Sequence, residues 1–470
     1  MIAEAGRRGL LHAGAALLLF LLFLALFWPG IALYDSVYQY EQALTGAYDD
    51  WHPPVMARLW SLLAHVWRGT GPMFLLQLGL FWLGIGLLAA ACARRDHKWA
   101  GWAVLALGAS SFLSCWMAAI LKDVQMVGAL TAAAGFVGWY LLQEQRLPAW
   151  AAVIVLLLLL YAVLVRANAV FAVVPLGLAL FDWVRLRALW TRAALALAMM
   201  ILIIFLTPAV NRSLLGADRS GVENSLLAYD IVGTAIRARA GDVAGLPPST
   251  WSRMAAKGCY SEAAWGSIDA PRCQPDPRLT AEAWSPPLYR LWLETILRHP
   301  LAYAEHRLAH FNSTMRLAVP ANLRDAMSPI DPESNNLGLG RKSNDVARAF
   351  WSVGAIWTAL PVGWPAFWLA LALVALWLAA RAAASPERDL ALAFLLSAVC
   401  GGLSYGVVSV ASDLRYHLWT ILAAGLGIAL LAAAGAIRRR HLIAFGIVAG
   451  AVTVAGVAGR LLLTPLPPPV

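Results

Sequence analysis

Long runs of apolar residues, separated by shorter polar segments, recur along almost the whole chain. About 20 apolar residues in a helix cross the hydrocarbon core of a bilayer, and on that scale the pattern predicts about eleven transmembrane helices. Their approximate limits are 10 to 29, 72 to 93, 99 to 118, 120 to 142, 149 to 165, 168 to 184, 189 to 209, 351 to 380, 389 to 411, 416 to 436 and 441 to 463. The sequence therefore predicts an all-α polytopic membrane protein.

Two polar interruptions are too long to be simple connections between these helices. The first covers residues 30–71 and the second covers residues 211–350. They divide the chain into an N-terminal transmembrane module (1–210), a loop domain (211–350) and a C-terminal group of transmembrane helices (351–470). The module at the N-terminus contains the first loop, and that loop carries most of the distinctive chemistry.

The first interruption predicts two short helices on either side of an acidic turn. The segments "SVYQYEQALTG" and "VMARLWSLLAHVW" have helical patterns, and Gly46 is suited to end the first of them. Between them lies "DDWHPP", where Pro53 and Pro54 lack backbone donors and turn the chain. The second helix carries Arg58 and His65 among apolar residues, which is typical of a helix lying in the membrane interface. We therefore expect two juxtamembrane helices in this loop.

The second interruption predicts a mostly helical domain. Residues 224–241 have an amphipathic helical pattern that ends in glycine, and residues 285–317 predict two helices separated at His299 and Pro300. The segment 326–345 is rich in turn residues. This is too much polar chain for a connector, so we expect it to cover a functional site and to hold a substrate.

Composition and charge agree with a membrane protein. The chain has 470 residues, of which 61% are hydrophobic and only 13% are charged. The formal charge of +10 does not indicate nucleic-acid binding, because the basic residues stand in short groups beside the apolar runs. Their distribution predicts that the N-terminus lies in the cytoplasm and that both long interruptions lie outside. No small-residue cleavage site follows the first apolar run, so we expect it to be a retained helix.

This topology leaves several charges at the outer face unexplained. Isolated charges inside a membrane helix cost about 2.5 to 3.5 kcal/mol each, so they usually pair or line a polar cavity. Each of them has a simple alternative role as a local ion pair or as a side chain that extends to the interface. Taken together they favour one shared anionic site, for which a lipid phosphate is suitable. These charges and the tyrosine beside them are Lys122, Asp123, Arg166, Asp413, Arg415 and Tyr416.

The acidic turn and the residue just after the first apolar run resemble a known superfamily. Asp35 or Ser36 can cap the first short helix. The run "DDWHPPVMARL" is similar to the first outer loop of GT-C glycosyltransferases, which use polyprenyl-phosphate sugars. The protein O-mannosyltransferases and the lipid A aminoarabinose transferases carry comparable runs. Matching positions are Asp35, Asp50, His52, Pro53, Pro54 and Arg58, where Arg replaces the usual Lys. Ser36 departs from the Asp-Glu pair that is usual in the family.

The resemblance implies a membrane glycosyltransferase of the bacterial cytoplasmic membrane, with its active site facing the periplasm or exterior. It would move a sugar from a polyprenyl-phosphate donor to a hydroxyl of a glycan, lipid or protein acceptor in the cell envelope. Direct attack assisted by one base implies inversion at the anomeric carbon, and a divalent cation is possible. The expected catalytic residues are Asp35 as the base, with Asp50 and His52. The expected substrate-binding residues are Arg58, Lys122, Asp123, Arg166, Asp413, Arg415 and Tyr416.

Cysteines and histidines of the loop domain allow two interpretations each. Cys259 and Cys273 enclose a polar loop in an oxidising compartment, which favours a disulfide over a metal site.

His306 and His310 are spaced i, i+4, as in some metal sites, but no glutamate completes a metalloprotease motif. We therefore expect these two histidines to lie on a solvated helix face, and we expect no metal site there.

Two other functional classes compete with a glycosyltransferase. One is a flippase or transporter of lipid-linked sugars, and the other is an O-antigen polymerase or ligase, which also acts in the membrane. No phosphate-binding glycine loop and no nucleophile elbow of a serine hydrolase occurs in the sequence. A transporter is expected to carry charges at the middle of the membrane. Here they gather at one predicted face, which favours the enzyme.

Overall fold

The computed structural model describes residues 2–180, 189–238, 243, 247–268, 273, 287–323 and 326–464. These residues fold almost entirely into α-helices, joined by short helical turns and loops. Their only β-type pairings are three isolated bridges, so no strand is present in the described part of the chain. The predicted all-α fold class is therefore confirmed.

Among the described residues, ten helices precede the long loop domain. The two helices of the first loop, α2 (Tyr34–Thr45) and α3 (Val55–Ala64), lie where the sequence predicted them, and Gly46 ends α2 in a left-handed conformation with φ of 75°. The bounds are α1 (Ile2–Phe27), α2 (Tyr34–Thr45), α3 (Val55–Ala64), α4 (Gly71–Arg94), α5 (Lys98–Gly108), α6 (Ser111–Met117), α7 (Lys122–Leu142), α8 (Ala149–Val165), α9 (Val170–Leu180) and α10 (Leu189–Ala209).

Nine further helices complete the described chain. The predicted break at Pro300 is present, because α13 ends at Arg298 and α14 begins at Pro300. The bounds are α11 (Glu223–Ala238), α12 (Pro248–Ala256), α13 (Pro287–Arg298), α14 (Pro300–Met315), α15 (Asp345–Ala359), α16 (Pro365–Arg381), α17 (Pro386–Val408), α18 (Leu418–Ala433) and α19 (Arg439–Leu462). The predicted mostly helical loop domain thus contains α11 to α14.

Seven of the described helices are long and apolar enough to cross a membrane, or eight if the bent pair α5 and α6 counts as one span. This supports a multi-pass membrane protein, but it does not confirm about eleven crossings. The helices α8, α9 and α16 are apolar but shorter. The predicted span at 351 to 380 is two helices, because Pro361 and Pro365 interrupt the helical hydrogen bonds between α15 and α16.

Direct backbone contact between α4 and α7 fixes the helix that carries Lys122 and Asp123. A Cβ added at Gly84 would lie 2.1 Å from the carbonyl oxygen of Thr131, and one at Gly135 would lie 2.6 Å from the Cα of Gly84. Any side chain at these positions would push the helices apart, as at small-residue interfaces of other membrane helices. The glycines therefore allow α4 and the middle of α7 to pack in direct backbone contact.

The chain forms two compact units. The first contains residues 1–218, 324–402 and 414–454, and the second contains residues 219–323, 403–413 and 455–470. The predicted division at residues 210 and 350 follows membrane topology, which these units do not test, and it stays a prediction. In the second unit, Cys259 and Cys273 are joined by a disulfide with a Cα to Cα distance of 5.6 Å. Both sulfurs belong to a core that includes Tyr229 and Trp251.

Candidate functional site

A short pairing of two backbone segments brings the first loop to the amino end of α7. Ile31 donates its N–H to the carbonyl of Ala118 at 2.9 Å, and Ile120 donates to the carbonyl of Ile31 at 3.0 Å. Asp35 follows the first segment by four residues, and Lys122 follows the second by two. The pairing therefore sets the side chains of the acidic loop against the charged start of α7.

Ser36, and not Asp35, satisfies the backbone at the start of α2. The hydroxyl of Ser36 accepts the N–H of Leu33 at 3.0 Å and donates to the carbonyl of Ile120 at 2.5 Å. Capping by Asp35, which the sequence left open, is therefore wrong for this structure. Ser36, which stands where the Asp-Glu pair would have its second acid, thus has a structural role. The Asp35 carboxylate is left for other partners.

Asp35 lies within reach of a cation and a histidine. Its Oδ2 accepts a hydrogen bond from Nη1 of Arg415 at 3.1 Å, and its Oδ1 lies 3.9 Å from Nε2 of His52. Burial alone would raise the pKa of this carboxyl, but the positive charges of Arg415 and Lys122 outweigh it and lower the pKa to about 2. Asp35 is therefore a carboxylate at neutral pH.

His52 is buried and neutral. Burial and the positive charge of Lys122 lower the pKa of its imidazole to about 3. Nδ1 of His52 lies 2.5 Å from Nζ of Lys122 and accepts a hydrogen bond from the ammonium. The remaining proton of the neutral ring is then on Nε2, which has no hydrogen-bond partner among the described residues and lies on the side of Asp35.

Asp123 lies close to two arginines, Arg166 and Arg415. Nη1 of Arg166 lies 2.9 Å from Oδ1 of Asp123, whose side chain is fully buried, and Nε of Arg415 lies 3.8 Å from Oδ2. The aromatic ring of Tyr416 lies beside both arginines, with its centroid 4.4 Å from Cζ of Arg166 and 5.5 Å from Cζ of Arg415. Arg415 therefore stands between the two carboxylates.

These side chains form one group, which we call the Asp35 cluster. It holds three cations and two carboxylates, so a single positive charge remains when His52 is neutral. A site with surplus positive charge attracts an anion, and arginines are suited to contact the oxygens of a phosphate. Its members are Asp35, His52, Lys122, Asp123, Arg166, Arg415 and Tyr416, all predicted from the sequence.

Asp50 and Arg58 each contact residues outside this cluster. Oδ2 of Asp50 accepts two hydrogen bonds from Arg212, from Nε at 2.9 Å and from Nη2 at 2.8 Å. Arg58 stacks over the ring of Tyr48, with Cζ 3.7 Å from its centroid, and donates to the carbonyl of Leu215 at 2.9 Å. Both side chains connect the first loop to the segment after α10. The predicted roles of Asp50 in catalysis and of Arg58 in substrate binding stay predictions.

Asp413 belongs to the second compact unit, not to the one that contains the Asp35 cluster. Its predicted role in substrate binding stays a prediction.

Tyr38 is a neighbour of the cluster that sequence reasoning missed. Its ring meets His52 edge to face at 5.6 Å, and its hydroxyl donates to the carboxylate of Asp49. Burial and the bond to Asp49 raise the pKa of Tyr38 to about 12. Tyr38 follows Asp35 by three residues, so the helical pattern of this segment could have placed both side chains on one face of α2.

The cluster does not suit a divalent cation. Such cations prefer several carboxylate oxygens. Here the carboxylate of Asp35 is paired with Arg415 and that of Asp123 with Arg166. Among the described residues, no group of three or more His, Cys, Asp or Glu side chains is placed to hold a metal. We derive no step that uses a metal ion.

The two histidines of α14 are buried, so the expected solvated face is wrong. Asp230 of α11 lies at the centre of a polar network. Its Oδ1 lies 3.1 Å from Nε2 of His306 and 2.5 Å from Nη2 of Arg307, and its Oδ2 accepts the indole N–H of Trp292 at 2.8 Å. Nδ1 of His310 donates to the backbone carbonyl of Glu262 at 2.8 Å. The network joins α11, α13 and α14.

No protein-family model matches this chain, and no curated protein sequence matches it.

Proposed function

We propose that the chain is a membrane glycosyltransferase that moves a sugar from a polyprenyl-phosphate donor to a hydroxyl acceptor. The observation that carries this proposal is the Asp35 cluster, in which an ionised carboxylate lies 3.1 Å from one arginine and 3.9 Å from a neutral histidine. Such a transfer needs a base for the acceptor proton and cations for the leaving phosphate. The cluster supplies both kinds of group.

The charge of the cluster suits a phosphodiester. A sugar linked through one phosphate carries one negative charge, and the cluster has a surplus of one positive charge. Arg415, Arg166 and Lys122 would contact the phosphate oxygens. Because Arg415 bonds Asp35 in the free protein, its movement toward a phosphate would also release the carboxylate. Donor binding and activation of the base would then be coupled.

The gap between Asp35 and His52 suits an acceptor hydroxyl. An oxygen atom can lie about 2.8 Å from both Oδ1 of Asp35 and Nε2 of His52, which are 3.9 Å apart, and thus bond both. The hydroxyl would donate to Asp35 and accept from the Nε2–H of His52. As its oxygen bonds the anomeric carbon, the bond from that carbon to the phosphate oxygen breaks. Asp35 takes the proton, polyprenyl phosphate leaves, and the configuration inverts.

The setting of this reaction is part of the proposal. The shorter apolar helices α8, α9 and α16 would complete about eleven crossings together with the longer ones. The cluster would face the exterior of a bacterial cytoplasmic membrane, where the acceptor is a glycan, a lipid or a protein of the cell envelope. The basic residues on the opposite side of the predicted helices support this orientation.

Reconstitution tests the proposal directly. The purified full chain in liposomes is given a panel of polyprenyl-phosphate sugars with radiolabelled sugar and a set of hydroxyl acceptors. We expect labelled product together with free polyprenyl phosphate, and NMR of the product should show the inverted anomer. Movement of the intact donor across the bilayer without cleavage would support a flippase instead. Use of only diphosphate-linked donors would favour a polymerase or ligase.

A further inference from the structure

An apolar groove runs along one side of the first membrane helix. It lies between α1 and α4 and reaches Trp139 of α7, and its cavity volume is about 380 Å³. Ligand pockets in proteins have volumes of about 300 to 1,000 Å³. We call it the α1–α4 groove. Small residues form much of its wall, among them Gly9, Ala13, Gly79, Gly86 and Ala90.

The groove is open along the membrane and is long. Leu10, Leu17 and Leu83 line it and are 75%, 58% and 44% exposed, so their side chains stand at an open rim. At a rise of about 1.5 Å per residue, the lining of α1 from Gly6 to Phe20 extends for about 21 Å. One leaflet of the hydrocarbon core is about 15 Å thick. The groove is therefore long enough to bind an acyl chain that extends across one leaflet of the bilayer.

Arg94 gives one end of the groove a positive charge. Its stem lies along the wall, because a Cβ added at Gly9 would come within 2.7 Å of Cγ of Arg94. Its Cζ lies 5.3 Å from the ring centroid of Trp139, another lining residue. The neighbouring Arg95 pairs with Glu144 and Glu387, both at 2.6 Å. Arg94 has no carboxylate partner among the described residues, so its charge is available to an anion.

We propose that the α1–α4 groove binds one anionic phospholipid of the leaflet on the Arg94 side. An acyl chain lies in the groove, and the phosphate contacts Arg94. This occupant follows from charge complementarity, since the apolar groove ends at a cation, Arg94, that no carboxylate of the described residues neutralises. The site lies toward the amino end of α1, whereas Asp35 follows its carboxyl end. It is independent of the proposed transferase activity.

Charge is tested with two arginine variants. The delipidated full chain in detergent is titrated with phosphatidylglycerol or phosphatidylcholine, and native mass spectrometry counts the retained lipids. We expect one phosphatidylglycerol to bind in preference to phosphatidylcholine. Arg94→Gln should weaken its binding about five-fold, the effect of removing one cation beside anionic lipid. Arg7→Gln is the matched control, because Arg7 is exposed and does not line the groove. Equal effects of both variants would overturn the site.

Shape is tested with two glycine variants. Gly79 lines the groove and a Cβ there meets no atom within 4 Å, so Gly79→Leu adds side-chain volume at the groove wall. We expect it to abolish retention of the phospholipid. Gly14→Leu is the control, since Gly14 is on α1, also has open space and is not part of the lining. Retention unchanged by Gly79→Leu, or displacement of phosphatidylglycerol by an equal concentration of polyprenyl phosphate, would contradict the proposal.

Discussion

Arg415 donates a hydrogen bond from Nη1 to Oδ2 of Asp35 at 3.1 Å, although 380 residues separate them in the chain. Both side chains are largely buried, with 16% of each exposed. A buried carboxylate without such a partner would favour protonation, and a buried guanidinium without one would be costly. The pair therefore keeps a charged base in place until an anion competes for the arginine.

Asp35→Asn should abolish most sugar transfer and leave the fold intact. It removes the charge that accepts the acceptor proton, and loss of such assistance slows turnover about 100-fold to 10,000-fold. Ser36 caps α2 without help from Asp35, and Arg415 keeps Asp123 at 3.8 Å, so the melting temperature should change little. Asp345→Asn, at an exposed acid, is the matched control. Transfer by Asp35→Asn at the wild-type rate would remove Asp35 from the mechanism.

Arg415→Gln should change both donor binding and the pH profile. With the pKa of Asp35 at about 2, the base is ionised throughout the range near neutrality, so the wild type should show no loss of kcat/KM from this group down to about pH 4. Without Arg415, one of the positive charges that oppose the effect of burial is lost, so the pKa of Asp35 should rise and activity should be lost at a higher pH as the carboxylate becomes protonated.

The measurement is kcat/KM for the donor between pH 4 and pH 8, with Arg341→Gln as an exposed control. We also expect a higher KM for the donor at pH 8, because a phosphate contact is lost. A pH profile of kcat/KM identical to that of the wild type would show that Arg415 does not set the pKa of Asp35. A raised KM for the donor, without a shift of the pH at which activity is lost, would mean that Arg415 contacts the phosphate and does not set the pKa of Asp35.

Some parts of this site could be predicted from the sequence, and others could not. The charged residues of the cluster stand out because each interrupts or ends an apolar run, where a charge is costly unless it is paired or lines a polar cavity. Their grouping depends on the backbone pairing of Ile31 with Ala119, which leaves no mark in the side chains. Likewise, Arg212 lies 162 residues from its partner Asp50. Local periodicity predicts the helix of His306, but only the fold shows that Asp230 and Tyr229 contact its ring.

Asp50 and Arg212 should act through stability and not through turnover. Their two hydrogen bonds connect the acidic turn to the segment after α10, and Asp50 is buried while Arg212 is 36% exposed. Because solvent screens the arginine, we expect a coupling of about 1 kcal/mol in a double-mutant cycle of Asp50→Asn and Arg212→Gln. Thermal unfolding in detergent measures it. A loss of kcat by Asp50→Asn as large as that of Asp35→Asn would return Asp50 to the catalytic group.

The proposed orientation predicts which engineered cysteines react from outside. In a variant with Cys92, Cys115 and Cys400 replaced by alanine, a cysteine at Asn336 should react with a reagent that cannot cross the membrane. One at Arg439 should react only after the cells are opened. Both residues are exposed in the fold, so accessibility depends on the side of the membrane. Reaction of the Arg439 site alone in intact cells would invert the topology and place the Asp35 cluster in the cytoplasm.

The bond between Cys259 and Cys273 should stabilise the second compact unit without taking part in chemistry. The two cysteines are 14 residues apart, and closing a loop of that length restricts the unfolded chain by about 3 kcal/mol. We expect mass spectrometry of a non-reduced digest to find the linked peptide. Replacing both cysteines by serine should lower the unfolding temperature of the purified protein and leave kcat unchanged. Cys400→Ser is the control, because Cys400 is a free thiol. Two unlinked peptides from freshly isolated protein, or full stability of the double variant, would contradict this role.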